Sequence, residues 1–151
     1  MARVERVRVN WDHWDLTSWF GRPIAEATSE RLREDQDAFD IRFLEDMLAR
    51  LGEDADALAQ LGHLYTKTGR YRDGLAVDRR LVVLKPRDPI AHYNLACSLA
   101  LLKETSRAFL SLRNAIRLGY RDLEYMQQDP DLENLRQDPR WNAVVNVKHS
   151  P

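Results

Sequence analysis

The side chains able to do chemistry are few and scattered. There are four histidines, His13, His63, His92 and His149, and one cysteine, Cys97. A structural or catalytic metal needs three or four converging ligands, and neither a Cys–X–X–Cys nor a His–Glu–X–X–His spacing supplies them. Cys97 stands among Leu95, Ala96 and Leu99 with no His or Cys beside it to lower its pKa. It therefore reads as a small packing or groove residue, not a nucleophile. The chain has no glycine-rich phosphate loop and no nucleophile elbow. These readings point away from an enzyme and from any cofactor or metal, and toward a protein that works by contact.

Composition narrows the kind of contact. Lys and Arg total 23 against 24 Asp and Glu, a net charge of −1. A general nucleic-acid binder would carry a strong positive excess, so none is expected as a partner. A single cysteine allows no internal disulfide, which fits a reducing compartment. The first ten residues alternate basic residues with valines and lack the apolar core of a secretory signal. No stretch approaches the length of a membrane span. A cytoplasmic protein is the expectation.

The charge is unevenly spread. Glu30 to Asp56 holds ten carboxylates against four arginines, and Lys67 to Arg87 holds seven basic residues and two aspartates. Opposite charge on neighbouring helices can help set their order or steer a charged ligand. Each exposed pair contributes only about 0–1 kcal/mol, so this is steering rather than cohesion.

The elements that would position these residues repeat. Residues 55–88 and 89–122 align without a gap at thirty-four positions each. Leu61 matches Leu95, Gly62 matches Ala96, Tyr65 matches Leu99, Gly74 matches Ala108 and Leu81 matches Ala115. In the first block Leu58, Leu61 and Tyr65 make one helix face at spacings of three and four. Thr68-Gly69-Arg70 supplies a turn with a C-terminal glycine. A second helix from about Tyr71 is expected to bury Leu75, Leu81, Val82 and Leu84, and stops before Pro86. Gly62 and Gly74 each weaken a helix by about 1 kcal/mol relative to Ala, which close approach of the paired helices would explain.

These residues resemble the tetratricopeptide repeat. Leu61, Gly62, Tyr65, Gly69, Tyr71, Gly74 and Pro86 follow its pattern in the first block, as do Leu95, Ala96, Ala108, Leu112 and Ala115 in the second. The second block has Lys103 in place of the turn glycine, and Asp78 stands in the first where a large apolar residue is usual. The resemblance implies an all-α fold: a right-handed α-solenoid of stacked antiparallel helix pairs, about three repeats plus caps. It further implies that first helices line a concave face which reads a partner peptide or helix. Carried over position by position, that face comprises Asp56, Ala59, Gln60, His63, Thr66 and Lys67, then Ile90, Tyr93, Asn94, Cys97 and Leu101. The expected partner contacts are Gln60, His63, Lys67, Ile90, Tyr93, Asn94, Cys97 and Leu101. Tyr93 and Asn94 are expected to be replaceable together without unfolding. The version of this family that clamps a chaperone's C-terminal carboxylate is not supported, because Ala59 and His63 replace its first Lys–Asn pair and only Asn94 agrees.

Flanking segments complete the plan. Residues 1–20 form a tryptophan-rich arm with Trp11, Trp14, Trp19 and Phe20, able to cap the domain, to dock into a groove of its own or another copy, or to anchor a partner. Residues 21–147 form the helical domain: a degenerate repeat over 21–54, the two repeats, and a closing segment over 123–147. Residues 148–151 are a loose tail. Within 21–54 two helices, the first over Pro23 to Arg33, are favoured over one long helix from Ser29 to Leu51. The stretch to Leu51 has Phe39, Phe43, Leu44, Met47, Leu48 and Leu51 on its apolar side and a register ambiguous by one residue. In the closing segment Asp129-Pro130 and Asp138-Pro139 each read as an N-cap followed by proline at the first helical position. The expected function is an adaptor that holds a protein or peptide segment. Rival readings are a cytoplasmic chaperone for a secreted client and a homo-oligomeric scaffold assembled through the arm.

Overall fold

Aspartate opens three helices at a constant interval. Asp54 accepts a hydrogen bond from the Ala57 backbone N–H, Asp88 from Ile90 and Asp122 from Tyr125. Each satisfies a donor that the helix itself cannot, and its negative charge suits the positive helix end. The computed structural model describes residues 24–145, all of its regular structure helical. The tryptophan arm, with Trp11, Trp14, Trp19 and Phe20, and the tail lie outside the described residues.

In chain order the helices are α1 (Ile24–Leu51), α2 (Ala55–Lys67), α3 (Tyr71–Leu84), α4 (Pro89–Leu101), α5 (Thr105–Leu118), α6 (Leu123–Gln128), a 3₁₀ turn (Pro130–Leu132), α7 (Glu133–Arg136) and α8 (Trp141–Val145). The bounds of α4 and α5 fall thirty-four residues after those of α2 and α3, and α6 begins at the same interval after α4. The turns repeat as well. Thr68, Gly69 and Arg70 donate backbone N–H groups to Leu64, Thr66 and Tyr65, and Leu102, Lys103 and Glu104 donate to Ser98, Ala100 and Leu99. Gly69 has a φ of +75° and Lys103, its counterpart, a φ of +61°. A lysine held in the left-handed region carries about 1–2 kcal/mol of strain. Lys103→Gly is therefore expected to raise stability by about 0.5–1 kcal/mol. Chemical denaturation checks this; a destabilised variant would contradict the shared turn geometry.

The chain divides into two compact units, residues 1–38 and 39–151. In the first, the described part is the opening stretch of α1. Residues 24–51 form one helix, the alternative to the favoured pair, because no Gly or Pro lies between Ile24 and Leu51 to stop it.

In the second unit α3 packs on α2 and α4, and α5 on α4. Leu58, Leu61 and Tyr65 of α2 are buried as the periodicity predicts. Ile41, Leu44 and Leu48 of α1 join them, while Phe39, Phe43 and Leu51 are exposed. The ambiguous register thus falls with Ile41 inward, and the rings of Phe39 and Phe43 stack at 6.5 Å outside the core. The Tyr65 hydroxyl donates to Glu45 on α1 at 2.5 Å, and Arg70 lies 4.4 Å over the Tyr65 ring. Burial, then this bond, pushes the phenol up to about 12. On α3 the buried set is Gly74, Leu75, Val77, Asp78 and Leu81; of the others expected inside, Val82 is half-buried and Leu84 is 43% exposed at the helix end.

Only one of the two helical glycines is demanded by close approach. A Cβ at Gly62 would lie 2.9 Å from the Asp78 carboxylate, whereas one at Gly74 would make ordinary contacts of 3.5–3.6 Å. Asp78 is the reason: its carboxylate fills the space that a larger residue at position 62 would claim, and Ser98 on α4 donates to it at 2.5 Å.

The third period is cut short. Pro130 cannot extend α6 and holds Asp129 extended (φ −62°, ψ 116°), so the chain turns back. The 3₁₀ turn and α7 pack on α4, and α8 packs on α5. Met126, Leu132, Leu135, Trp141 and Val144 are buried and continue the core of α4 and α5. Asn134 ties α7 to the end of α4 through a 2.6 Å bond to the Ala100 carbonyl.

Candidate binding groove

The two first helices, α2 and α4, stand on either side of a small cavity of about 130 Å³. Gly62, His63 and Thr66 come from α2, Asp78 from α3, Tyr93, Asn94 and Cys97 from α4, and Tyr125, Asp129 and Asp131 from the closing segment. A wider groove of about 640 Å³ lies between α1 and α2, lined by Asp40, Phe43, Leu44, Ala59, Gln60, His63 and Leu64. His63 borders both spaces.

Of the residues expected on the concave face, His63, Thr66, Tyr93, Asn94 and Cys97 meet in the cavity, and Ala59 and Gln60 line the groove. Lys67, Ile90 and Leu101 line neither; Ile90 is 59% exposed and Leu101 is half-buried. Asp56 also lies outside both and pairs with Lys85 at 3.6 Å. His92 is likewise apart: its Nε2 lies 3.0 Å from the Pro86 carbonyl, which makes it a local tie at the start of α4.

Tyr93 is a wall and not a replaceable contact. It is 5% exposed, its ring is stacked on Tyr120 at 4.3 Å and 3°, and its hydroxyl donates to Asp129 at 2.6 Å. Removing the ring would open the core of α4, so the paired replacement with Asn94 cannot leave the fold untouched. Cys97 is buried beside it, with Sγ 3.8 Å from the same carboxylate. Burial first, then the nearby Asp129 charge, pushes its thiol well up, which makes it a poor nucleophile.

Sequence reasoning missed the acidic side of the cavity. Asp129 was legible as a cap, and its Oδ1 does accept from the Asp131 N–H at 3.0 Å. Its Oδ2 reaches across thirty-six residues to Tyr93, a bond no local pattern announces. Asp78 was visible only as a departure from the repeat. Its burial pushes the carboxyl up to about 6, against the Ser98 bond, which lowers it. The Asp131 carboxyl is also raised, first by burial and then by Asp129, with His63 opposing. Tyr125, exposed, has a raised phenol pKa chiefly because of the Asp129 charge. Among the described residues no group of three His, Cys, Asp or Glu is placed to hold a metal ion, and no helix is long and apolar enough to cross a membrane.

No family model matches the chain, and no solved structure matches it. It is similar to a chloroplastic protein from Arabidopsis thaliana, with 30% identity over 87 residues. That stretch is 56% of this chain and 26% of the relative, so the chain spans about a quarter of that protein's length.

Proposed function

We propose that this chain is a tetratricopeptide-type solenoid whose task is to hold a segment of another protein in the hollow lined by α2 and α4. The observation that carries the reading is the thirty-four-residue recurrence of helix bounds, aspartate caps and turn hydrogen bonds. Such a recurrence supports stacking of like helix pairs, in which first helices share one side. The lining supports recognition of a peptide: Gln60, Thr66 and Asn94 offer groups that can bond a backbone, beside the apolar surface of Phe43, Leu44 and Leu64. A binding role rather than a catalytic one is supported by the inert setting of Cys97. An adaptor inside the cell fits the single cysteine.

Selection of a random twelve-residue display library on the full chain tests this. Retained peptides, titrated into the ¹⁵N-labelled protein, are expected to shift the amides of Gln60, His63 and Asn94. Shifts confined to the outer helices, at Leu110 or Arg113, would overturn the groove assignment. So would failure of any peptide to be retained.

A further inference from the structure

Several acids of the second unit lie against arginines of the chain. Glu53 pairs with Arg80 at 2.8 Å, Asp73 with Arg70 at 2.7 Å and Asp138 with Arg140 at 2.7 Å. No ion pair of the described residues reaches Asp78, Asp129 or Asp131. The nearest guanidinium, that of Arg136, donates to the Asp129 main-chain carbonyl at 2.6 Å and not to its carboxylate. Three carboxylates therefore share a cavity to which the chain brings no lysine or arginine; His63 is the one basic side chain of the lining.

The rest of the lining completes a receptor for positive charge. Tyr93 and Tyr125 stand with ring centroids 6.3 Å apart and tilted by 51°, and both line the cavity. Aromatic faces attract a lysine or arginine head group, more so where water is excluded. A volume of about 130 Å³ admits the end of one long side chain and not a whole peptide. At His63 the cavity meets the wider groove, whose Phe43 is 59% exposed and stacked against Phe39. Exposed aromatic surface beside an unpaired acidic cavity fixes what a complementary ligand must carry.

We propose that the hollow recognises a partner segment in which a lysine or arginine stands within a few residues of a large apolar side chain. The cation enters the cavity between Tyr93, Tyr125 and the carboxylates of Asp129 and Asp131. The apolar side chain lies on Phe43, Leu44 and Leu64. This deepens the peptide-holding reading above and rests on it. It also sets the sign of selectivity: a ligand that presents a carboxylate or phosphate to the cavity meets repulsion, so the hollow reads the opposite charge from a clamp for C-terminal carboxylates.

The display selection separates the two claims. Retained peptides are expected to be enriched in Lys or Arg near Leu, Ile, Met or Phe. A chosen peptide should lose roughly tenfold in affinity when its basic residue is replaced by citrulline or glutamine, and a similar amount for the variant Asp131→Asn. Asp131 is half-buried and its carboxylate accepts no hydrogen bond, so Asp131→Asn is expected to fold; its thermal transition should not fall below the parent's. Asp131→Lys should invert the preference, favouring a peptide with Glu in place of the basic residue. Retained peptides that shift His63 and Asn94 but carry no basic residue, or that bind Asp131→Asn as tightly as the parent, would overturn the cation site while leaving peptide holding intact. A selection that retains nothing would sink both.

Discussion

Replacing Asp129 with Ala is expected to lower the unfolding free energy by about 2–4 kcal/mol, out of proportion to a single loop carboxylate. Two losses combine. The Oδ1 bond to the Asp131 N–H caps the 3₁₀ turn, and loss of a cap costs about 1 kcal/mol. The Oδ2 bond accepts from Tyr93, whose hydroxyl is buried under the closing segment, and a buried donor left without an acceptor costs about 1–3 kcal/mol. The second loss depends on the donor being present. In a Tyr93→Phe background the hydroxyl is gone, so Asp129→Ala should cost only about 1 kcal/mol there. Urea denaturation of the four proteins gives the cycle. Additive losses would show that the two side chains do not act as a unit, and with that the anchoring of the closing segment to α4 would fail.

How much of this arrangement could be read in the sequence depends on the range over which each signal acts. The two helix pairs were legible because their causes are local: aspartate caps, Gly69 at a left-handed turn, and apolar faces at spacings of three and four. Even Lys103, which lacks the glycine, adopts the turn because the flanking carbonyls of Ser98, Leu99 and Ala100 accept the same three bonds as their counterparts. The register of α1 was not legible. Phe39 and Phe43 make one helical face and Ile41, Leu44 and Leu48 another, and only the shape of α2 decides which is buried. Periodicity counts apolar residues; it does not say which of two faces the neighbour fits.

The site was legible by half, and the division follows the same rule. His63, Tyr93, Asn94 and Cys97 could be placed together because repeat positions fix which side of a helix they occupy. Asp129 and Asp131 reach the cavity only because Pro130 turns the chain back across α4, an event with no counterpart in the repeat. The burial of Tyr93 follows from that same cover. A position that is open in a regular array becomes a wall once a closing segment lies on it. Asp78 and Gly62 depend on each other: the small residue, which follows the repeat pattern, leaves room, and the carboxylate, which departs from it and is bonded by Ser98, takes it. Read singly, Asp78 was only an irregularity.

Asp78→Asn is expected to change how stability depends on pH, between acid and neutral, more than any other single replacement in the hollow. Burial pushes the carboxyl from its usual 3.8 up to about 6 in the folded protein, so the folded form holds the proton more tightly than the unfolded chain does. Below a pH of about 3 both forms are protonated and the group imposes no penalty. As the pH rises from there to about 6, the unfolded chain sheds its proton first and stability falls. Above about pH 6–7 both forms are ionised and the loss, about 3 kcal/mol, is complete. Asparagine keeps an oxygen to accept from Ser98 and carries no charge at any pH. Its stability minus that of the parent should therefore climb by about 3 kcal/mol between pH 3 and pH 7, whatever constant offset its amide introduces. Titrations elsewhere cancel in that difference, so parallel curves would mean that Asp78 is not buried against Gly62 in solution. A carboxylate retained at such a cost suits a cavity that attracts positive charge: a bound cation would lower the Asp78 pKa and return stability in the pH range where the free protein lacks it. The Asn variant should then gain in folding and lose in binding the lysine- or arginine-bearing peptide, two opposite changes from one replaced oxygen.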